Sequence, residues 1–186
     1  MTNGEMTDGE FIALVRRNPA AATILDRLAE LGAPDAWLTA GCLAQTVWNL
    51  QAGRAPEASI RDYDLFYFDE DLSWEAEDAV IRRGREVFGD LPVEIRNQAR
   101  VHLWFGGRFG YDIPPLRSAT DGIDRFLFRG ICIGINAAGD VYAPFGFGDL
   151  LAGLLRPNPG NRRLDQMLAK AEDYRARWPG LRIDTA

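Results

Sequence analysis

The sequence predicts an α/β (or α+β) domain, a mixed central β-sheet flanked by helices, with further helices towards the N- and C-terminal ends. Three observations carry this. Short strand-like runs at 37–40, 60–69, 91–96 and 131–143 are interleaved with stretches whose apolar residues recur at helical spacing. The chain has 186 residues, which suits one domain with a real core. It is 47% hydrophobic and 11% aromatic, and no repeat or low-complexity tract divides it. Residues 1–186 therefore read as a single domain, with 1–35 as an N-terminal helical flank and 160–180 as a C-terminal helix.

Thr7-Asp8-Gly9-Glu10 has capping-box spacing, and Phe11, Leu14 and Val15 follow at helical intervals. Asn18-Pro19 reads as an N-cap followed by proline at the first helical position; Ile24, Leu25, Leu28 and Leu31 form that helix's stripe, and Gly32 ends it. Trp37-Leu38-Thr39-Ala40 is a short buried strand that turns at Gly41 into a helix through Leu43, Val47, Trp48 and Leu50. A strand, a glycine and then a helix start can present free backbone N–H groups to an anion.

The run Ile60 to Asp69 is the centre of interest. With a strand's period of two, Asp62 and Asp64 share a face with Phe66 and Phe68, while Tyr63, Leu65 and Tyr67 point the other way. Two carboxylates at the start of an apolar strand are costly to bury unless positive charge sits between them, and a divalent cation is the simplest candidate. Asp69 falls on the opposite face and is left out.

The acidic stretch Asp69–Asp78 reads as a solvated helix start. Ser73 caps it, Glu75, Glu77 and Asp78 come first, and Arg82, Arg83 and Arg85 come last, as the helix dipole favours. In the next strand, Leu91 to Arg96, Glu94 and Arg96 share one face; beside Asp62 and Asp64, Glu94 becomes the natural third carboxylate. Asn97 to His102 gathers polar groups, among them the chain's single histidine. Ser118–Asp121 caps a short helix through Ile123, Phe126 and Leu127, and residues 131–143 form a hairpin. Phe145–Asp149 opens a helix expected to reach Arg156. The last helix carries Leu164, Met167, Leu168, Ala171, Tyr174 and Trp178 and stops at Pro179-Gly180.

The net charge of −6 argues against non-specific nucleic acid binding and disfavours, without forbidding, a nucleic acid partner. Cys42 and Cys132 lack CxxC spacing, so a reduced, cytoplasmic protein is favoured over one with a single buried disulfide. No apolar run has the length of a membrane span, and the first residues do not form a signal peptide. Three carboxylates on neighbouring strands fit two Mg²⁺ ions, about 3.5–4 Å apart, clamping an in-line phosphoryl or nucleotidyl transfer. The same carboxylates with water as acceptor would give hydrolysis.

Gly41-Cys42 leading a helix, Asp62-Tyr63-Asp64 on a strand and Glu94 on a later one resemble the nucleotidyltransferase superfamily, the DNA polymerase β-like fold. Six stretches, Ala40–Asn49, Asp62–Asp69, Asn97–Arg100, Ala143–Gly146, Asp149-Leu150 and Arg156–Asn158, resemble more narrowly a bacterial family of stand-alone nucleotidyltransferase-like proteins. The resemblance implies Mg²⁺ and a nucleoside triphosphate, with a nucleoside monophosphate moved from it to a hydroxyl acceptor that no motif names. Gly41 and Cys42 would meet the triphosphate, Asp62 and Asp64 would bind metal, and Glu94 would be the third carboxylate. Arg96, Arg100 and Arg156 are the candidate phosphate contacts. Cys42 stands where the superfamily has serine, and a thiol is a poor donor to phosphate. The alternative is therefore a catalytically degenerate member that binds a nucleotide or a partner without turnover.

Overall fold

Helices α1 (Asp8–Val15) and α2 (Pro19–Arg27) begin as their capping residues dictate. The Thr7 and Glu10 side chains close the capping box around α1, and Asn18 Oδ1 accepts from the Ala20 and Ala21 N–H groups. These elements belong to a computed structural model that describes residues 6–161 and 163–184; the outer ends of the expected single domain lie outside the described residues.

The centre is a five-stranded sheet in the order β3-β2-β1-β4-β5, formed by β1 (Trp37–Thr39), β2 (Tyr63–Tyr67), β3 (Val93–Asn97), β4 (Gly134–Asn136) and β5 (Val141–Tyr142). It is mixed: β2 and β3 run parallel, and the other neighbours are antiparallel. A second, two-stranded sheet joins β6 (Leu154–Leu155) to β7 (Arg182–Ile183).

The alternation expected along β2 is present: Tyr63, Leu65 and Tyr67 are buried, while Asp64 and Phe66 are half-buried on the other face. Leu38, Leu65, Ile95 and Ile135 join the main core with residues of α1, α2, α3 (Gly41–Gln51) and α4 (Trp74–Phe88). Across the sheet, Trp37, Phe66 and Phe68 pack with α6 (Ala119–Ile123). The last long helix, α8 (Leu164–Arg177), lays Met167, Ala171 and Tyr174 on the core. Leu168 of its expected stripe is exposed, and the Leu164 side chain lies outside the described residues.

Three expectations are corrected. The helix opened by Phe145–Asp149 does not reach Arg156; α7 is only Gly148–Leu151. Gly153, at φ +61°, turns the chain so that Leu154-Leu155 pairs with β7 instead. Between β3 and α6 the chain forms a helix that the polar reading missed, α5 (Val101–Phe109), entered through a 3₁₀ turn at Gln98–Arg100. The start of α4 is not simply solvated. Ser73 caps it as expected, but Glu77 is buried, accepts the Asn97 N–H at 2.9 Å and pairs with Arg100, whose guanidinium lies over the Trp74 ring.

Among the described residues no helix is long and apolar enough to cross a membrane. Cys42 and Cys132 are separate buried thiols.

The Glu77–Arg100 pair yields a stability prediction. Glu77→Ala leaves a buried guanidinium and the Asn97 N–H unmatched, with an expected loss of about 3–5 kcal/mol in urea unfolding. Adding Arg100→Met should recover part of it. A loss below about 1 kcal/mol would place the pair with ordinary surface ion pairs.

Candidate active site

The site is built by strand register. β1 and β2 are antiparallel with Thr39 opposite Asp64, so β1 ends where β2 begins. From there the chain turns through Ala40, at φ 56° and ψ −119°, straight into α3. That backbone is uncommon for a residue with a side chain and marks a strained turn at the helix entrance. The N–H groups of Leu43 and Ala44 bond to Ala40 O, which leaves those of Gly41 and Cys42 at the open helix start.

Asp62 lies just before β2, one residue outside the strand proper. The parallel register of β2 and β3 sets Glu94 beside Asp64 and Arg96 beside Phe66, and residues paired in this way share a face. Glu94 thus stands on the same side of the sheet as Asp64, with its Oε2 3.4 Å from Arg96 Nη2.

The electrostatics tie the carboxylates together. Burial pushes the Asp64 carboxyl up to about 7, helped by the negative charges of Asp62 and Glu94, while Lys170 and Arg96 pull the other way. Burial also pushes the Cys42 thiol well above its ordinary value, with Asp64 and Asp62 adding to the effect. The Tyr174 hydroxyl is pushed up chiefly by burial, and it feels Asp64 and Asp62 as well. Tyr174 also stands at the helix start, since a Cβ placed on Gly41 would lie 3.7 Å from its hydroxyl oxygen.

The structure therefore gathers Asp62, Asp64, Glu94, Arg96 and Gly41 at one rim. Cys42 is there too, but its side chain is buried and its Sγ donates to Thr39 O at 3.4 Å. Arg100 does not join them; it is held by Glu77 beside α4. Arg156 is held by Asp149 at 2.9 Å and Asp184 at 3.0 Å. Other residues of the six quoted stretches also serve the scaffold: Asn158 Nδ2 donates to Asp124 O and Phe126 O, and Asn97 ties to Asp69.

Sequence reasoning missed Lys170 and Tyr174. They arrive from α8, more than a hundred residues after Asp62, and the only hint was that Lys170 is the chain's single lysine. It also missed a mostly apolar cavity of about 300 Å³ beside the acidic residues, walled by α5, Phe66, Phe126 and α8.

A divalent cation suits the donor chemistry. The trio offers hard oxygen atoms only, and a bound cation would offset both the burial that chiefly raises Asp64 and the repulsion from Asp62 and Glu94 that adds to it. Among the described residues no group of three or more His, Cys, Asp or Glu side chains is placed so that it could hold a metal ion.

Comparison with known proteins defines the class of fold first. A solved structure described as the NMR structure of a protein that reveals a CCA-adding enzyme head domain matches with a TM-score of 0.78 and 24% sequence identity, covering 98% of this chain and 99% of that one. The mixed sheet and its helices thus share the fold of that head domain. The nucleotidyltransferase family profile matches residues 26–183, and the chain belongs to that family. No curated protein matches it by sequence.

The raised Asp64 carboxyl predicts a pH effect on stability in the absence of divalent metal. Between the ordinary value of 3.8 and about 7, the folded chain keeps a proton that the unfolded chain has lost, so stability falls as pH rises through that window. Asp64→Asn should therefore stabilise the protein at pH 8 by about 2 kcal/mol, reduced from the full linkage value because water reaches this half-buried group. At pH 4 the two proteins should unfold at nearly the same urea concentration. Equal stability at both pH values would contradict the coupling.

Proposed function

We propose that the protein is a Mg²⁺-dependent nucleotidyltransferase that moves a nucleoside monophosphate from a nucleoside triphosphate to a hydroxyl acceptor. One observation carries this reading: Asp62, Asp64 and Glu94 are coupled at the rim where α3 begins. In this reading the Gly41 and Cys42 N–H groups receive the triphosphate, with the helix dipole favouring its negative charge. Arg96 and Lys170, both close enough to act on Asp64, balance phosphate charge. Asp62 and Asp64 hold Mg²⁺, with Glu94 completing a second site or taking the proton from the incoming hydroxyl. The ions, when bound, neutralise charge on the phosphates as it shifts. The hydroxyl oxygen bonds to the α-phosphorus, the bond from that phosphorus to the bridging oxygen breaks, and pyrophosphate leaves. Positioning and charge are what the chain contributes, as this chemistry requires. The acidic balance and two free thiols suit a small-molecule acceptor in the cytoplasm better than a long nucleic acid.

The second reading, nucleotide or partner binding without turnover, is favoured by the buried Cys42 thiol, which faces Thr39 O. Incubation of the full chain with each α-labelled triphosphate and Mg²⁺ separates the two. The transferase reading expects pyrophosphate release that chelation abolishes and that Asp62→Asn or Asp64→Asn lowers at least about 100-fold. It also expects Cys42→Ser to change the rate less than about threefold, because a hydroxyl can make the same bond to Thr39 O. Nucleotide binding without pyrophosphate release, restored to turnover by Cys42→Ser, would instead establish the degenerate reading.

A further inference from the structure

The cavity beside the trio has a direction relative to the site. On β2 the chain runs from Asp64 to Phe66, and on β3 from Glu94 to Arg96. Phe66 and Arg96 line the cavity, so it opens from the trio along the strands. The start of α3 lies the other way, because it follows Thr39, which pairs with Asp64 while Trp37 pairs with Phe66. Along the strands the order is thus helix start, carboxylates, then the Phe66–Arg96 end of the cavity, while Tyr174 lines the cavity and also reaches the helix start. In-line transfer needs the attacking oxygen and the leaving group on opposite sides of the phosphorus. With pyrophosphate leaving towards α3, the attacking hydroxyl comes from the Phe66–Arg96 end of the cavity.

The walls indicate what carries that hydroxyl. Phe66 and Phe126 are stacked at 5.5 Å between centroids with 16° between planes, and Trp104 and Phe105 of α5 add further rings. About 300 Å³ matches the small end of ligand pockets and suits a flat ring system. Arg125 also lines the cavity, makes no ion pair among the described residues, and has a buried Nε without a hydrogen-bond partner. It follows α6, whereas Arg96 and Lys170 reach the cavity from β3 and α8.

We propose that this cavity is the acceptor subsite, and that the acceptor is a small molecule with a flat aromatic body, a hydroxyl at the end near Asp64 and Glu94, and an anionic group that meets Arg125. The assignment rests on the transferase reading. The acceptor oxygen forms the new bond to the α-phosphorus, its proton passes to a carboxylate of the trio, and pyrophosphate departs with the electrons of the broken phosphorus–oxygen bond.

The test uses the full chain, Mg²⁺, labelled triphosphate and three acceptor probes: 4-(hydroxymethyl)benzoate, benzyl alcohol and 3-hydroxybutanoate. Label transfer and quenching of the Trp104 region's fluorescence are read together. The proposal expects 4-(hydroxymethyl)benzoate to exceed both other probes at least tenfold. Arg125→Gln should erase its advantage over benzyl alcohol. Phe105→Ala should weaken both aromatic probes about tenfold while leaving the affinity for a fluorescent triphosphate analogue unchanged. Label transfer that both variants leave untouched would overturn the assignment while sparing the transferase reading, as would displacement of the benzoate by free adenosine or cytidine. Bound triphosphate that never releases pyrophosphate, with any probe or with water, would overturn the transferase reading and the acceptor role with it.

Discussion

The parallel pairing of β2 with β3 is the constraint from which the site follows. Opposite Asp64 the register brings Glu94, and opposite Phe66 it brings Arg96, so acid sits beside acid and the ring beside the cation. A slip of one residue would send Glu94 to the helix-covered face and bring Ile95 out. The register is held from the other side of the sheet, where Leu65 and Ile95 are buried against the core and Gly84 of α4 lets Ile95 approach closely. The buried Glu77–Arg100 pair, with the Glu77 bond to the Asn97 N–H, fixes the far end of β3. Apolar packing on one face therefore positions charge on the other.

That arrangement has an electrostatic cost that is visible in Asp64. A protein selected for stability alone would not hold a half-buried carboxyl within reach of two others, with Arg96 and Lys170 as counterweight. The strained turn at Ala40 lies at the same rim and launches α3 towards it. Both features lie where the proposed function places its ligands, and the chain belongs to a nucleotidyltransferase family.

Much of this was legible in the sequence because it depends on local periodicity. The two-residue alternation of β2 gave the shared face of Asp64 and Phe66, and the spacing of β3 gave Glu94 as its partner. The capping residues Thr7, Asn18 and Ser73 marked three helix starts correctly. What was not legible depends on contacts between distant segments. Glu77 reads as a first-turn acid, and only its meeting with Arg100 buries it. Gly106-Gly107 and the polar run before it concealed α5, whose aromatic residues pack on one another and on Tyr111 along the cavity. Lys170 and Tyr174 look like an ordinary stripe of α8 until that helix lies over the rim. Arg100 and Arg156 carried the right chemistry for phosphate, but local carboxylates hold them.

In the proposed function an acidic trio holds cations against a triphosphate seated on α3. The most direct measurement is a crystal structure of the full chain with Mn²⁺ and a non-hydrolysable nucleoside triphosphate, the metal located by its anomalous scattering. The account predicts metal between Asp62 and Asp64, phosphate oxygens at the Gly41 and Cys42 N–H groups, and the Glu94 carboxylate turned towards the metal. Metal bound elsewhere, with the triphosphate away from the start of α3, would contradict it.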